Sequence, residues 1–201
     1  MPEQTYQIRK AAVLGAGVMG AAIAAHLANV GIPSLLLDIV PPGAQDRDIV
    51  ARKGLSRAMF ARPASFYSSR AEKLVTVGNV EDDLEKLGEV DWIIEAVIER
   101  LDIKQPLYEK LERVIKPTTI ITSNTSGLPA HMLTAGRSAT FRRNFLITHF
   151  FNPVRYMRLL ELVPDVDTDP ALMEFMQHFA TETLGKGVVL CKDTPNFIAN
   201  R

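Results

Sequence analysis

Three glycines spaced Gly15-x-Gly17-x-x-Gly20, the carboxylate of Asp38, and the pair His149 and Glu161 are the groups of this 201-residue chain best suited to chemistry. The glycines stand where an apolar β run, Ala11 to Leu14, gives way to a helix-compatible stretch beginning near Val18. In that context the first glycine permits a tight turn and the second lets a pyrophosphate approach the backbone. The third lets the helix pack on the strand, with the helix N-terminus facing the phosphates. Asp38 ends the next β run, where a carboxylate accepts hydrogen bonds from the adenosine ribose and repels a 2′-phosphate. The pattern predicts a dinucleotide site that takes NAD rather than NADP.

Glu161 lies in the apolar run Leu159-Leu160-Glu161-Leu162, and a carboxylate among leucines calls for a partner. His149, at the end of the run Asn144 to Phe150, is a suitable one if the two runs are antiparallel neighbours. So placed, Glu161 fixes the imidazole tautomer and stabilises its protonated form, as general acid–base work requires. Ser123-Asn124-Thr125-Ser126 and His149-Phe150-Phe151-Asn152-Pro153 both follow β runs, and in an open α/β sheet chemistry collects beyond the carboxyl ends of the strands. Ser126 has no G-x-S-x-G elbow and reads as a hydrogen-bonding alcohol. His26, His131 and His178 lack metal-ligand spacing and read as structural or solvent-facing, so no metal site is expected. Cys191 sits in an apolar β run and reads as a small buried hydrophobe.

Apolar β runs alternate with helical stretches along the chain. Strands are expected at 11–14, 35–38, 74–77, 92–97 and 119–123, with helices at about 18–30, 46–62, 81–87 and 103–115. After these come strands at 144–150, 159–163 and 187–191, with one helix from Pro170 to Leu184 closed by Gly185. The alternation predicts an α/β fold, a doubly wound Rossmann-type, mostly parallel sheet with additional edge strands.

Composition excludes several classes. Lys plus Arg and Asp plus Glu number 23 each, so no global basic field exists to hold nucleic acid or an anionic membrane. The single cysteine cannot close an internal disulfide, which suits a reducing, cytoplasmic setting. Residues 11–37 carry no Asp, Glu, Lys or Arg and imitate a signal peptide or membrane span, but glycines, Asn29 and Pro33 divide them into strand, helix and strand.

The runs VLGAGVMGAAIA, WIIEAVIERLDIK, ITSNTSGL, THFFNPVRYMRLLELV and CKDTPNFIANR together resemble the N-terminal domain of the L-3-hydroxyacyl-CoA dehydrogenases over nearly the whole chain. The resemblance implies NAD-dependent oxidation of the 3-hydroxyl of a fatty acyl-CoA, a step of β-oxidation, in a cytoplasmic and in some cases multifunctional enzyme. It implies His149 as base and Glu161 as its carboxylate partner, with Ser126 bonding the substrate and Asn200 orienting it. The cofactor contacts it implies are Gly15, Gly17, Gly20, Asp38, Glu99, Lys104, Ser126 and Asn152.

Two departures from the family follow. Members place a basic helical hairpin against the CoA nucleotide between the second and third strands, and its Ser and Lys contacts do not align here. The stretch is nonetheless basic, with Arg47, Arg52, Lys53, Arg57, Arg62, Arg70 and Lys73 against Asp48 and Glu72; Pro63 interrupts any regular hairpin. Such a face either meets CoA phosphates or is simply solvated. Second, the family continues past this point into a helical domain that forms a homodimer, so residues 1–201 are expected to be one NAD-binding domain of a longer protein. A non-catalytic NAD-sensing module, or a dehydrogenase of a small hydroxy acid without CoA, are the competing expectations.

Overall fold

A computed structural model describes residues 6–200. The uncharged run folds as β1 (Ala11–Leu14), α1 (Val18–Asn29) and β2 (Ser34–Asp38). Glycines break it at both turns: Gly15 and Gly31 take φ of +98° and +84°, a region that side chains with a Cβ rarely adopt. No helix among the described residues is long and apolar enough to cross a membrane.

The chain continues through α2 (Ile49–Met59), α3 (Ser69–Glu72), β3 (Val75–Asn79), a 3₁₀ segment (Leu84–Glu89), β4 (Trp92–Glu95), α4 (Leu101–Glu112) and β5 (Ile120–Ser123). It ends with α5 (Ala130–Leu133), α6 (Ala139–Arg143), β6 (Phe145–Phe150), β7 (Leu159–Pro164), α7 (Pro170–Glu182) and β8 (Gly187–Leu190). The strands form one sheet in the order β3-β2-β1-β4-β5-β6-β7-β8. β1 to β6 are parallel, β7 runs antiparallel to β6, and β8 is parallel to β7. This is the doubly wound sheet with added edge strands. Its order reverses between β1 and β4, where such folds open a crevice.

Both faces of the sheet are covered, which is why β1 and β4 are buried at every residue and read as continuous apolar runs. Val13, Leu36, Trp92, Ile94 and Leu146 pack with α1, α2 and α7. The alternate residues Ala12, Leu14, Leu37, Ile93 and Phe145 pack with α4, α5 and α6. The small residues Ala21, Ala24, Ala25 and Ala28 let α1 lie close to the sheet, and all four are buried.

Two helices differ from the sequence expectation. The 46–62 helix is confined to Ile49–Met59. Asp46 accepts from the Asp48 N–H at 3.1 Å in a turn ahead of it, and Pro63 disfavours helical backbone at Arg62. No second long helix completes a hairpin, for only the single turn of α3 follows before β3. The 81–87 helix is instead the 3₁₀ segment Leu84–Glu89. So short a stretch, containing Gly88, cannot offset helix nucleation, and Asp83 is drawn back to the Asn79 N–H at 2.9 Å.

His26 is buried on α1 with Nε2 3.1 Å from the Leu184 carbonyl, whereas His131 and His178 are exposed. Burial, reinforced by the nearby Lys186 charge, pushes the His26 imidazole down to about 4. The unfolded chain therefore takes up this proton first as pH falls, and stability is lost between the ordinary histidine value of 6.5 and about 4. A chemical-denaturation series should show a loss on the order of 3 kcal/mol from this group across that window. His26→Gln, which keeps a donor for Leu184, should flatten that part of the curve; an unchanged slope would remove His26 from the acid sensitivity.

Candidate active site

The cleft begins at the turn between β1 and α1. A Cβ on Gly15 would lie 2.5 Å from the Ala96 carbonyl oxygen, and one on Gly20 would run into the Gly15 carbonyl, so neither position admits a side chain. Gly17 is the opposite case. It caps α1 with nothing within 4 Å of where its Cβ would stand, and no side chain caps the helix. The first-turn N–H groups thus face open space, as a bound pyrophosphate requires.

Asp38 accepts from the Ala16 N–H at 2.5 Å and from the Ile39 N–H at 2.7 Å. This fixes the carboxylate at the mouth of a cleft of about 530 Å³, whose walls include Ile39, Val97, Ile98, Pro106 and Leu107. A carboxylate has about four acceptor sites, so lone pairs remain for ribose hydroxyls. Ala96 and Val97 are shared with a second cleft of about 480 Å³ that holds Glu99, Asn124, Ser126, His149, Asn152 and Asn200. Together the two clefts run from Asp38 to His149 along the carboxyl edge of the sheet.

The floor between them is a buried ionic network centred on Glu95, the last residue of β4. Its carboxylate accepts from Lys104 Nζ at 2.6 Å, the Val97 N–H at 2.8 Å, the Tyr108 hydroxyl at 2.7 Å and the Ser123 hydroxyl at 2.6 Å. Burial and the Glu95 charge push the Tyr108 phenol well above its ordinary value, so it stays a donor. Lys104 also lies 3.3 Å from Glu99, and its side chain is 1% exposed. The structure therefore places Lys104 behind the cleft, against two carboxylates, with Glu99 between it and the open space. Glu99 accepts from the Thr125 hydroxyl and from the Ser126 N–H at 3.0 Å. Burial acts to raise its carboxyl, but the Thr125 bond, the Lys104 charge and the Ser126 N–H outweigh it and hold the group below the usual carboxylate range.

On the far side of the cleft β6 and β7 pair antiparallel with His149 directly opposite Glu161. Nδ1 of His149 lies 2.8 Å from Glu161 Oε2, and both side chains are buried. The other oxygen, Oε1, accepts from the Ile198 and Ala199 N–H groups at 3.1 and 2.8 Å. Burial works to raise the Glu161 carboxyl, yet His149 and these two N–H groups hold it below the ordinary range. Phe151 and Phe197 flank the imidazole, with ring centroids at 4.3 and 5.7 Å. Asn124 accepts from the Phe150 N–H at 2.9 Å, which ties the Ser126 loop to the histidine strand. Asn200 donates to the Ser126 carbonyl at 3.3 Å, bringing the chain's last described residue back to the same loop. Cys191 is buried and its thiol is pushed up to about 11 by burial and by Glu161, which suits the inert role expected of it. No metal-holding cluster of three or more such ligands occurs among the described residues.

Residues 10–194 match the sequence profile described as 3-hydroxyacyl-CoA dehydrogenase, NAD binding domain. The chain belongs to that family. A probable 3-hydroxyacyl-CoA dehydrogenase of Deinococcus radiodurans is 56% identical over 195 residues, spanning 97% of this chain and 56% of the relative. The mitochondrial hydroxyacyl-coenzyme A dehydrogenase of Homo sapiens is 34% identical over 205 residues, spanning 96% of this chain and 62% of its own length. The solved 3-hydroxybutyryl-CoA dehydrogenase of Escherichia coli superposes with a TM-score of 0.80 at 31% identity, covering 97% of this chain and 40% of that one. This chain therefore spans little more than half the length of its Deinococcus relative. The family cofactor is NAD, and the uncapped helix, the open space at Gly17 and the Asp38 carboxylate fit it.

Two residues of the cleft escaped sequence reasoning. Glu95 sits in the apolar run Trp92-Ile93-Ile94-Glu95-Ala96-Val97 and carries the same signal that singled out Glu161, a carboxylate with no visible partner. Gly54 gives no such signal. It lies inside α2, where a Cβ would run into the Ala16 carbonyl and come within 2.7 Å of the Ala16 Cβ, so it sets how closely α2 rests on the glycine turn. Gly54→Ala gains helix propensity yet must displace the Ala16 backbone, whose N–H holds Asp38. NAD affinity measured by titration should fall about tenfold or more, the equivalent of about 1.4 kcal/mol; unchanged affinity would show that α2 yields instead of the turn.

Proposed function

We propose that residues 1–201 form one NAD-binding domain of an enzyme that oxidises the 3-hydroxyl of L-3-hydroxyacyl-CoA to the 3-ketone, as in fatty acid β-oxidation. The observation that carries this reading is the His149–Glu161 contact of 2.8 Å at the end of the cleft that Asp38 opens. A module that only sensed NAD needs the glycine turn and Asp38 but has no use for a buried imidazole–carboxylate pair facing the same space.

NAD, when bound, supplies the hydride acceptor. The protein supplies the proton chemistry. With Nδ1–H donated to Glu161, the lone pair of His149 lies on Nε2, which takes the proton of the substrate hydroxyl. The charge that develops on the ring is met by Glu161, itself kept ionised by the Ile198 and Ala199 N–H groups. Ser126 and Asn200 border the same cleft and are assigned to hold the substrate oxygen. Glu99 and Asn152 are assigned to the cofactor side, with Lys104 acting through Glu99.

For the CoA end, the basic stretch offers only part of its charge. Arg47 is taken by Asp82 at 2.6 Å and Glu81 at 3.0 Å, and Arg52 by Asp46 at 3.1 Å. Arg57 and Arg62 form no ion pair with a described residue and line a cavity of about 220 Å³ together with Val18, Asn152 and Arg155. A phosphate there would lie between the basic stretch and the cofactor side of the cleft, which supports an acyl-CoA over a free hydroxy acid.

In the full-length protein, His149→Gln should lower kcat by about 10²–10⁴-fold while NADH affinity holds. Retained turnover would mean that the base lies elsewhere. Glu substitution at both Arg57 and Arg62 should raise KM for acetoacetyl-CoA about tenfold and leave KM for NADH unaltered. Equal rates of NADH oxidation with acetoacetyl-CoA and with free acetoacetate would remove CoA from the substrate.

A further inference from the structure

A buried lysine outside the cleft bears on its geometry. Thr183-Leu184-Gly185-Lys186 follow α7, and Gly185 takes φ of +66°, reversing the chain so that the Lys186 N–H bonds back to the Ala180 carbonyl at 2.9 Å. The reversal turns the Lys186 side chain inward, where the residue is 4% exposed. Its ammonium donates to the carbonyls of Val154 and Met157, the latter at 2.9 Å, and stands 5.7 Å from the Phe150 ring centroid. No ion pair joins Lys186 to a carboxylate of the described residues, and its charge and that of Arg155 both act on the buried His26 of α1. Burial accordingly pushes the amine down to about 8.

A buried charge without a counter-charge is costly, and a methionine would fill the same volume without that cost. What the lysine supplies is a pair of hydrogen bonds to one turn. Residues 153–157 form that turn, with the Tyr156 and Met157 N–H groups both donating to the Pro153 carbonyl at 2.9 Å. Without the lysine, the carbonyl of Val154, a residue 1% exposed, would be left buried and without this partner. From the opposite side Arg155 donates to the Ala64 and Phe66 carbonyls at 3.0 and 3.1 Å and stacks on Tyr67 with its guanidinium 3.8 Å from the ring centroid. The turn is thus held by Lys186 and, through Arg155, by the basic stretch. Asn152, which lines the cleft beside His149, is the residue from which it springs.

We infer that Lys186 is a positioning residue for the cofactor cleft: its buried ammonium fixes the 153–157 turn and thereby sets where the Asn152 amide meets the nicotinamide half of NAD. This rests on the assignment of Asn152 to the cofactor, and the test separates the two. In the full-length protein, affinities for NADH and for ADP-ribose are measured by titration; ADP-ribose probes only the half of the site held by the glycine turn and Asp38.

Lys186→Met should weaken NADH binding about tenfold, the effect of leaving a buried carbonyl unsatisfied, and leave ADP-ribose affinity within about twofold. Asn152→Ala should give the same split, and the double variant should lose no more than either single one, because both changes remove one interaction. If Lys186→Met does not fold, Lys186→Gln, a donor too short to span both carbonyls, carries the same comparison. An unchanged NADH affinity in the lysine variant, equal losses for both ligands, or additive losses in the double variant would each overturn the role of Lys186. An Asn152→Ala protein that binds NADH normally would instead overturn the assignment of Asn152, and the inference with it.

Discussion

A negative charge cannot be left bare inside a sheet, and two such charges fix the carboxyl edge of this one. Glu95 and Glu161 are 0% and 1% exposed, and each gathers donors from parts of the chain far apart in sequence. Glu95 draws in α4 through Lys104 and Tyr108 and β5 through Ser123. Glu161 draws in His149 from β6 and two N–H groups of the segment that follows β8. Truncating one member of the Glu95–Lys104 pair leaves the other charge unmatched, at about 3–5 kcal/mol. The loops that border the cleft are therefore held by charge neutralisation from beneath, while their exposed surfaces stay free to meet ligands.

The glycine turn is governed by a second constraint, exclusion of volume. Three backbone segments meet there: the turn itself, the Ala96 carbonyl after β4, and α2 resting on Ala16. Gly15, Gly20 and Gly54 remove the atoms that would collide, while at Gly17 there is nothing to collide with. The same residue type thus serves two purposes within six positions. Close packing sets the turn's shape, and open space is left at its centre.

Much of this was legible in the sequence because it rests on local pattern. The first βαβ unit, the carboxylate of Asp38 at the end of β2, and the pairing of His149 with Glu161 each follow from spacing or from an apolar run broken by one charge. What was not legible depends on contacts between distant segments. Gly54 is an ordinary interior helix residue until α2 meets Ala16. Lys104, which the family resemblance implies as a cofactor contact, gives no sign in the sequence of its burial against Glu95. Lys186 is one more surface lysine until Gly185 turns it inward. The basic stretch divides in the same way, since Arg47 and Arg52 are neutralised by carboxylates whose proximity only the fold reveals.

The pairing of β6 with β7 places His149 across from Glu161, with Thr148 across from Leu162 and Phe150 across from Leu160. Side chains alternate between faces along each strand, so sliding β7 by one residue would send Glu161 into the opposite layer and deliver a leucine to the histidine. The ladder, rather than the connection at 151–158, encodes the pair. Inserting a single residue within either strand would erase the pair in one step.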